Sequence, residues 1–164
     1  MSAYTGTGQL LRLAWRRDRI LIPVCVATLT ALSVGSAQAT LALYPTDAAA
    51  QKGLGGILSN PAVEAMYGPV VPTLGGLSVF KTIMLGAVFL GILTHALVRR
   101  HTRVEEEEGR FELIGAGVVG RRAPLTAAVV LAVVVSLVTA LLSVAGLAAL
   151  GLDVTGSIAF GVSW

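Results

Sequence analysis

Charge is scarce in this chain. Of its 164 residues 13% are charged and 5% aromatic, where a soluble domain carries about 25% charged residues. So small a polar complement cannot cover a globule of 16.8 kDa in water, and the medium for most of the chain is lipid. Cysteine is equally sparse. Cys25 stands alone inside an apolar run, which excludes an internal disulfide framework, leaves the redox compartment unread and suits a small buried residue. The apolar stretches hold no histidine pair, cysteine pair or cluster of carboxylates, and no nucleophile stands at a recognisable spacing from a base. No catalytic group, metal site or cofactor is therefore expected. The net charge of +3 is basic enough for nucleic acid. However, the basic residues flank apolar segments and form no face interleaved with aromatics, so nucleic acid is not expected as a partner.

What is present in quantity is long apolar sequence, with a mean hydropathy of +0.81. Ile20 to Leu43 is 24 residues without a charge, Leu77 to Val98 carries only Lys81, and Leu125 to Leu150 is 26 residues without a charge. At about 1.5 Å of rise per residue, roughly 20 residues cross a 30 Å hydrocarbon core. Each stretch is long enough to span, and none shows the polar stripe of a surface helix. A last apolar piece, Ser157 to Trp164, reads as the opening of a fourth span. The fold class expected is an all-α integral membrane protein: three transmembrane helices plus the start of a fourth.

Ten of the twelve Lys and Arg residues flank the spans on one side. Arg12, Arg16, Arg17 and Arg19 precede the first; Arg99, Arg100, Arg103, Arg110, Arg121 and Arg122 lie between the second and third. The positive-inside rule puts the N-terminus and the 99–123 loop in the cytoplasm and 44–76 outside. Lys81 then sits near the outer end of its span, where its stem snorkels to the interface or, alternatively, takes part in a transport path. His95, near the inner end, reads as an interfacial or helix-packing residue. The start of the chain also resembles a signal peptide, with a basic region, an apolar core and an A-x-A-like site at Ala37 and Ala39. The apolar run continues through Leu41 and Leu43, which favours a retained span. Arg16 and Arg17 as a twin-arginine signal is weak.

In the outer loop, Asn60 and Pro61 start a short helix that Gly68 and Pro69 end. Gly55, Gly56, Gly75 and Gly76 give it flexible flanks. Within the spans, Ala87 with Gly91, and Gly35 with Ala39, place small residues four apart for close helix approach.

The loop "RRHTRVEEEEGRFELIGAGVVGRRAP" is the most informative segment. Thr102 and Glu105 fit a capping box, Glu105 to Glu108 occupy the first turn of the helix it would start, and Val104 and Phe111 share one side. The helix ends at the glycines from Gly115, and Pro124 suits the first turn of the third span. Gly115, Gly117 and Gly120 match G-x-G-x-x-G, but a dinucleotide site needs a βαβ unit and an acidic residue about 20 positions on. Here Pro124 and a membrane span follow, and "SLVTALLSVAG" has no carboxylate. The glycines read as a turn re-entering the membrane. Four consecutive glutamates point in different directions on a helix and cannot converge on one ion. They form either a solvated acidic face or a docking surface for another protein.

The same loop resembles the first cytoplasmic loop of permease subunits in type-2 ATP-binding cassette exporters, where a Glu-rich run leads into E-x-E-x-G-x-x-E-L-L and a turn ending in Arg. Glu105 to Glu108, Gly109, Glu112 with Leu113, and Arg121 match; Ile114 replaces the second leucine. With "GTGQLLRLAWRRDRI", "LYPT", "NPAVEAMYGP" and "TLGGL", the chain is similar over most of its length to actinobacterial polyketide-antibiotic exporter permeases. The resemblance implies an N-terminal fragment of a permease in the plasma membrane, with no ATP site of its own. It implies a cytoplasmic coupling helix on which Glu105, Glu106, Glu107, Glu108, Gly109, Arg110, Phe111, Glu112 and Leu113 meet an ATPase subunit. It also implies an amphipathic N-terminal helix whose Arg12, Arg16, Arg17 and Arg19 meet anionic lipid. The partners implied are the ATPase, the rest of the permease or a second permease chain, and the bilayer. The organisation expected is one transmembrane domain over 1–164: an amphipathic segment at 8–19, spans at 20–43, 77–98 and 124–150, an outer loop at 44–76, the coupling loop at 99–123, and an outer loop with the start of a fourth span at 151–164. Read without the resemblance, the chain suits a small three-span scaffold or regulatory subunit.

Overall fold

The computed structural model describes residues 3–103 and 119–164, and every regular element among them is a helix. In order these are α1 (Thr7–Arg17), α2 (Leu21–Leu43), α3 (Asp47–Leu58), α4 (Pro61–Tyr67), α5 (Leu74–Arg100), α6 (Ala123–Ala149) and α7 (Val154–Val162). Three of them, α2, α5 and α6, are long and apolar enough to cross a membrane. The expected all-helical membrane class holds. Large apolar residues such as Val133, Leu137 and Leu141 on α6 and Val88, Phe89 and Ile92 on α5 are exposed, as helices dissolved in lipid require, because acyl chains are as apolar as leucine.

Local chemistry sets the element ends. Proline falls second in α6, at Pro124, and first in α4, at Pro61, where its missing N–H costs nothing. The Asn60 side chain accepts the Ala62 N–H at 2.9 Å, and Gly68, with φ of 77°, closes α4. After α6 the chain turns through Gly151 at φ of 80°. There the Leu152 N–H reaches the Leu147 carbonyl at 3.4 Å and the Gly151 N–H reaches Ala148 at 3.0 Å. This is the Schellman closure that glycine permits at low steric cost. The Asp153 carboxylate then accepts the Gly156 N–H at 2.7 Å and starts α7.

The stretch read as a flexible flank is helical. Residues Asp47–Leu58 form α3, with Gly55 and Gly56 inside it, and Gly75 and Gly76 fall in the first turn of α5. Tertiary interactions override the glycine content. Thr46 caps α3 by accepting the Ala49 N–H at 3.2 Å, Gln51 donates to the Pro72 carbonyl at 2.9 Å, and Asp47 accepts the Leu74 N–H at 2.7 Å. Ala50 is fully buried.

The chain divides into two compact units, Met1–Val26 with Leu90–Leu137, and Ala27–Phe89 with Val138–Trp164. In the first unit Ala14, Ile22, Val26, Leu93, Leu97 and Leu131 are among the buried residues. In the second, Ala37, Leu147 and Phe160 form a core against which Val79, Ile83, Leu150, Leu152 and Trp164 pack. The short apolar piece at 157–164 thus belongs to a packed helix, with Ser157, Phe160 and Gly161 buried.

Close approach occurs at glycines other than those expected. A Cβ on Gly35 or Gly91 would meet nothing within 4 Å, whereas on Gly86, Gly146 and Gly161 it would collide with Trp164, Val34 and Val144 respectively. The spacing of four is present, but it does not say which side of a helix meets a neighbour. Hydroxyls supply the remaining polar contacts. Ser36 donates to the Ser78 carbonyl at 2.9 Å, joining α2 to α5, while Ser33, Thr40 and Ser78 donate to carbonyls four residues back on their own helices. In lipid such an acceptor satisfies a buried hydroxyl.

Candidate functional site

The segment singled out in the sequence leaves α5 at Arg100 and enters α6 at Ala123. Glu105, Glu106, Glu107, Glu108, Gly109, Arg110, Phe111, Glu112 and Leu113 lie outside the described residues, as do Gly115 and Gly117. Both ends of the segment are described, and both are fastened to the N-terminal region.

At the first end the fastening is ionic. Asp18 follows α1: its N–H donates to the Ala14 carbonyl at 3.1 Å, and its own carbonyl accepts from Ile22 at 2.9 Å. The side chain is turned inward and fully buried, with Arg100 Nη1 2.8 Å from Oδ1 and His101 Nε2 2.5 Å from Oδ2. A carboxylate that is ionised only accepts, so this contact is a hydrogen bond in the tautomer that carries the ring proton on Nε2. The Arg100 contact is an ion pair without hydrogen-bond alignment, since Oδ1 has no hydrogen-bond partner by angle. Asp18 and His101 are 1% and 6% exposed. Two buried ionisable groups persist only because they satisfy one another, and removing one strands the other. Thr102 donates to the Val98 carbonyl at 2.7 Å, closing α5 just as the segment departs.

At the far end the fastening is backbone to backbone. The Gly120 N–H donates to the Thr5 carbonyl at 2.8 Å and the Arg122 N–H donates to the Ala3 carbonyl at 3.0 Å. Ala123, next in sequence, is fully buried. The residues before α1 therefore hold the exit of the segment while the residue after α1 holds its entrance.

α1 has two characters. Leu10, Ala14 and Asp18 recur every four residues on the side that is half-buried or buried, whereas Arg12, Arg16, Arg17 and Arg19 are exposed. Arg16 and Arg17 fall in the last turn, where cations suit the helix dipole. Leu13 and Trp15 are also exposed, at 55% and 47%. Beside the segment's entrance His95, Val98, Arg99, Thr102 and Arg103 line a depression of about 480 Å³ whose charged groups, among the described residues, are basic. His95 is exposed here. Lys81, also exposed, lies 5.7 Å from the centre of the Phe80 ring, and Cys25 is half-buried where a buried position was expected.

Sequence reasoning passed over Asp18. Within "WRRDRI" it reads as one acid diluted in a basic flank. The available signal was its position: a single carboxylate between an amphipathic helix and a span, with Arg100 and His101 at the end of the next.

Fold and junction together define a multi-pass, all-helical membrane protein in which the N-terminal segment braces a loop between two spans. No family model matches the chain. It is similar along its whole length to the multidrug efflux system permease protein Rv1217c from Mycobacterium tuberculosis (strain ATCC 25618 / H37Rv), with 38% identity over 164 residues, which is 99% of this chain and 30% of the relative. The resemblance to exporter permeases read from the loop motif is thus borne out across the chain, which spans less than a third of that relative's length.

Proposed function

We propose that this chain is part of the membrane-spanning permease of an ATP-driven exporter of hydrophobic or antibiotic-like compounds. It lies in the plasma membrane with its N-terminus in the cytoplasm, and ATP hydrolysis takes place on a separate ATPase subunit. The segment 102–115 is the docking element, with Glu105 to Glu108, Arg110 and Glu112 as polar contacts and Phe111 and Leu113 as apolar anchors. The observation that carries this reading is the double fastening of the segment. A loop that passes mechanical work from one protein to the spans of another must not slip at either end. Here Asp18 grips Arg100 and His101 at the entrance, while Thr5 and Ala3 hold Gly120 and Arg122 at the exit. The efflux-permease relative supports the same reading. The exposed Arg12, Arg16, Arg17 and Arg19 then face anionic head groups, and Trp15 suits the level of the bilayer interface.

The test is co-purification with an ATP-binding cassette ATPase co-expressed with this chain, before and after reversal of Glu105, Glu106, Glu107 and Glu108 to lysine. Association falls by at least about tenfold if the glutamates are the contact, since the reversal turns several attractive charge pairs repulsive at once. Undiminished association sinks the docking role and favours a scaffold or regulatory subunit.

A further inference from the structure

The last turns of α5 have two faces. Leu90, Leu93, Leu97 and His101 recur at helical spacing and are buried. On the opposite side Ile92, His95 and Arg99 recur at the same spacing and are exposed, Ile92 by 61%. Within two turns this exposed side passes from hydrocarbon to basic chemistry. It ends at the depression of about 480 Å³ that His95, Val98, Arg99, Thr102 and Arg103 line. The Thr102 hydroxyl is committed to the Val98 carbonyl at 2.7 Å, and neighbouring Arg100 pairs with Asp18. The cations of the depression are therefore Arg99 and Arg103, and the His95 imidazole supplies at least one further N–H.

From this arrangement we infer that the depression binds the phosphate of an anionic phospholipid, whose acyl chains lie along the Ile92 side of α5. That helix is long and apolar enough to cross a membrane. Its exposed side therefore meets lipid, and the basic end of that side falls where head groups begin. A guanidinium presents a planar fork that pairs with two phosphate oxygens at once. The C-terminal end of α5 carries roughly half a negative charge, which two guanidiniums outweigh. A singly charged phosphodiester is the complement of what remains. A zwitterionic head group would instead bring its ammonium against the same guanidiniums. No carboxylate lines the depression among the described residues. A phosphate free in water offers the same oxygens but has nothing to lay against Ile92, and that decides for the lipid. The inference uses α5 as a membrane span and does not rest on the exporter reading.

The probes are phosphatidylglycerol and phosphatidylcholine with identical acyl chains, offered in equal amounts to the full chain in neutral detergent. Native mass spectrometry reads the lipid that each chain retains. Phosphatidylglycerol is expected to be retained saturably and about tenfold in preference. Excess glycerophosphoglycerol, the same head group without acyl chains, should not displace it. His95→Gln combined with Arg99→Gln should lower retention about fivefold or more. Arg12→Gln with Arg16→Gln and Arg17→Gln, which discharges the exposed side of α1, should leave it in place. Equal retention of the two lipids overturns the proposal, and displacement by glycerophosphoglycerol overturns its lipid source. An α1 variant that loses the lipid as far as the α5 variant does shows diffuse charge attraction and no site. An α5 variant that keeps its helical circular dichroism and the native retention also overturns it. If that variant loses its helical signal, lipid preference and displacement on the native chain decide alone. The assay contains no ATPase, so failure of the docking reading leaves its outcome unaffected.

Discussion

The two units of this chain solve the same problem by different chemistry. In the first, Met1–Val26 with Leu90–Leu137, specific contacts are carried by charge and by backbone groups: Asp18 with Arg100 and His101, and Thr5 and Ala3 with Gly120 and Arg122. In the second, Ala27–Phe89 with Val138–Trp164, the apolar helices meet by fit, with Gly86 under Trp164, Gly146 under Val34, Gly161 under Val144 and a hydroxyl from Ser36 to Ser78, while the contacts of Asp47 with Leu74 and Gln51 with Pro72 are confined to the segment around α3. Lipid explains the second style. Without a hydrophobic force between helices, close backbone approach and single hydroxyl bonds are the available attractions. The first style needs water nearby while the ion pair assembles. That matches the distribution of basic residues along the sequence, since all ten arginines fall within the first unit's segments and only Lys52 and Lys81 within the other's.

The sharpest way to break the comparison is Asp18→Ala. It strands a buried imidazole and a half-buried guanidinium, and should cost about 3 kcal/mol or more, read as a lower unfolding midpoint in detergent. Replacing Asp18 and His101 together by leucine should recover much of the loss, because two apolar groups leave less uncompensated charge. An unchanged midpoint in Asp18→Ala would show that the first unit does not depend on charge. Next in size, Gly86→Ala and Gly146→Ala should each cost about 1 to 3 kcal/mol by forcing Trp164 or Val34 aside. Gly35→Ala and Gly91→Ala, where a Cβ meets nothing, should be neutral or stabilise by up to about 1 kcal/mol through helix propensity. Equal effects at all four positions would refute packing by fit. The smallest effect is expected at Ser36→Ala, which removes one hydroxyl bond between α2 and α5 and should cost about 0.6 kcal/mol on the same measurement.

The elements set by local rules were legible. Three uncharged or nearly uncharged runs became α2, α5 and α6, Asn60 and Pro61 started α4, and Pro124 fell in the first turn of α6. What depends on partners was not. α3 carries Gly53, Gly55 and Gly56, and its helix stands on contacts with residues of other segments: Gln51 with Pro72, Asp47 with Leu74, and Tyr44 lying against Gly53 so closely that a Cβ there would touch the ring. None of these pairings leaves a periodic trace. Asp18 failed to stand out for the same reason, since its partners come from the far end of α5. The glutamates 105–108 were conspicuous by composition alone, and the residues that brace their segment were recognised only from the fold.

The brace between Asp18 and His101 also has a consequence in time. The two residues are separated by 83 positions, and a ribosome adding 5 to 20 residues per second needs roughly 4 to 17 s to cover that distance. Throughout that interval Asp18 has no buried partner, and a lone carboxylate stays where water can reach it. The start of the chain therefore waits undocked at the membrane surface until the second long helix has been made. Completion of that helix, through the arrival of Arg100 and His101, becomes the event that lets the N-terminus close.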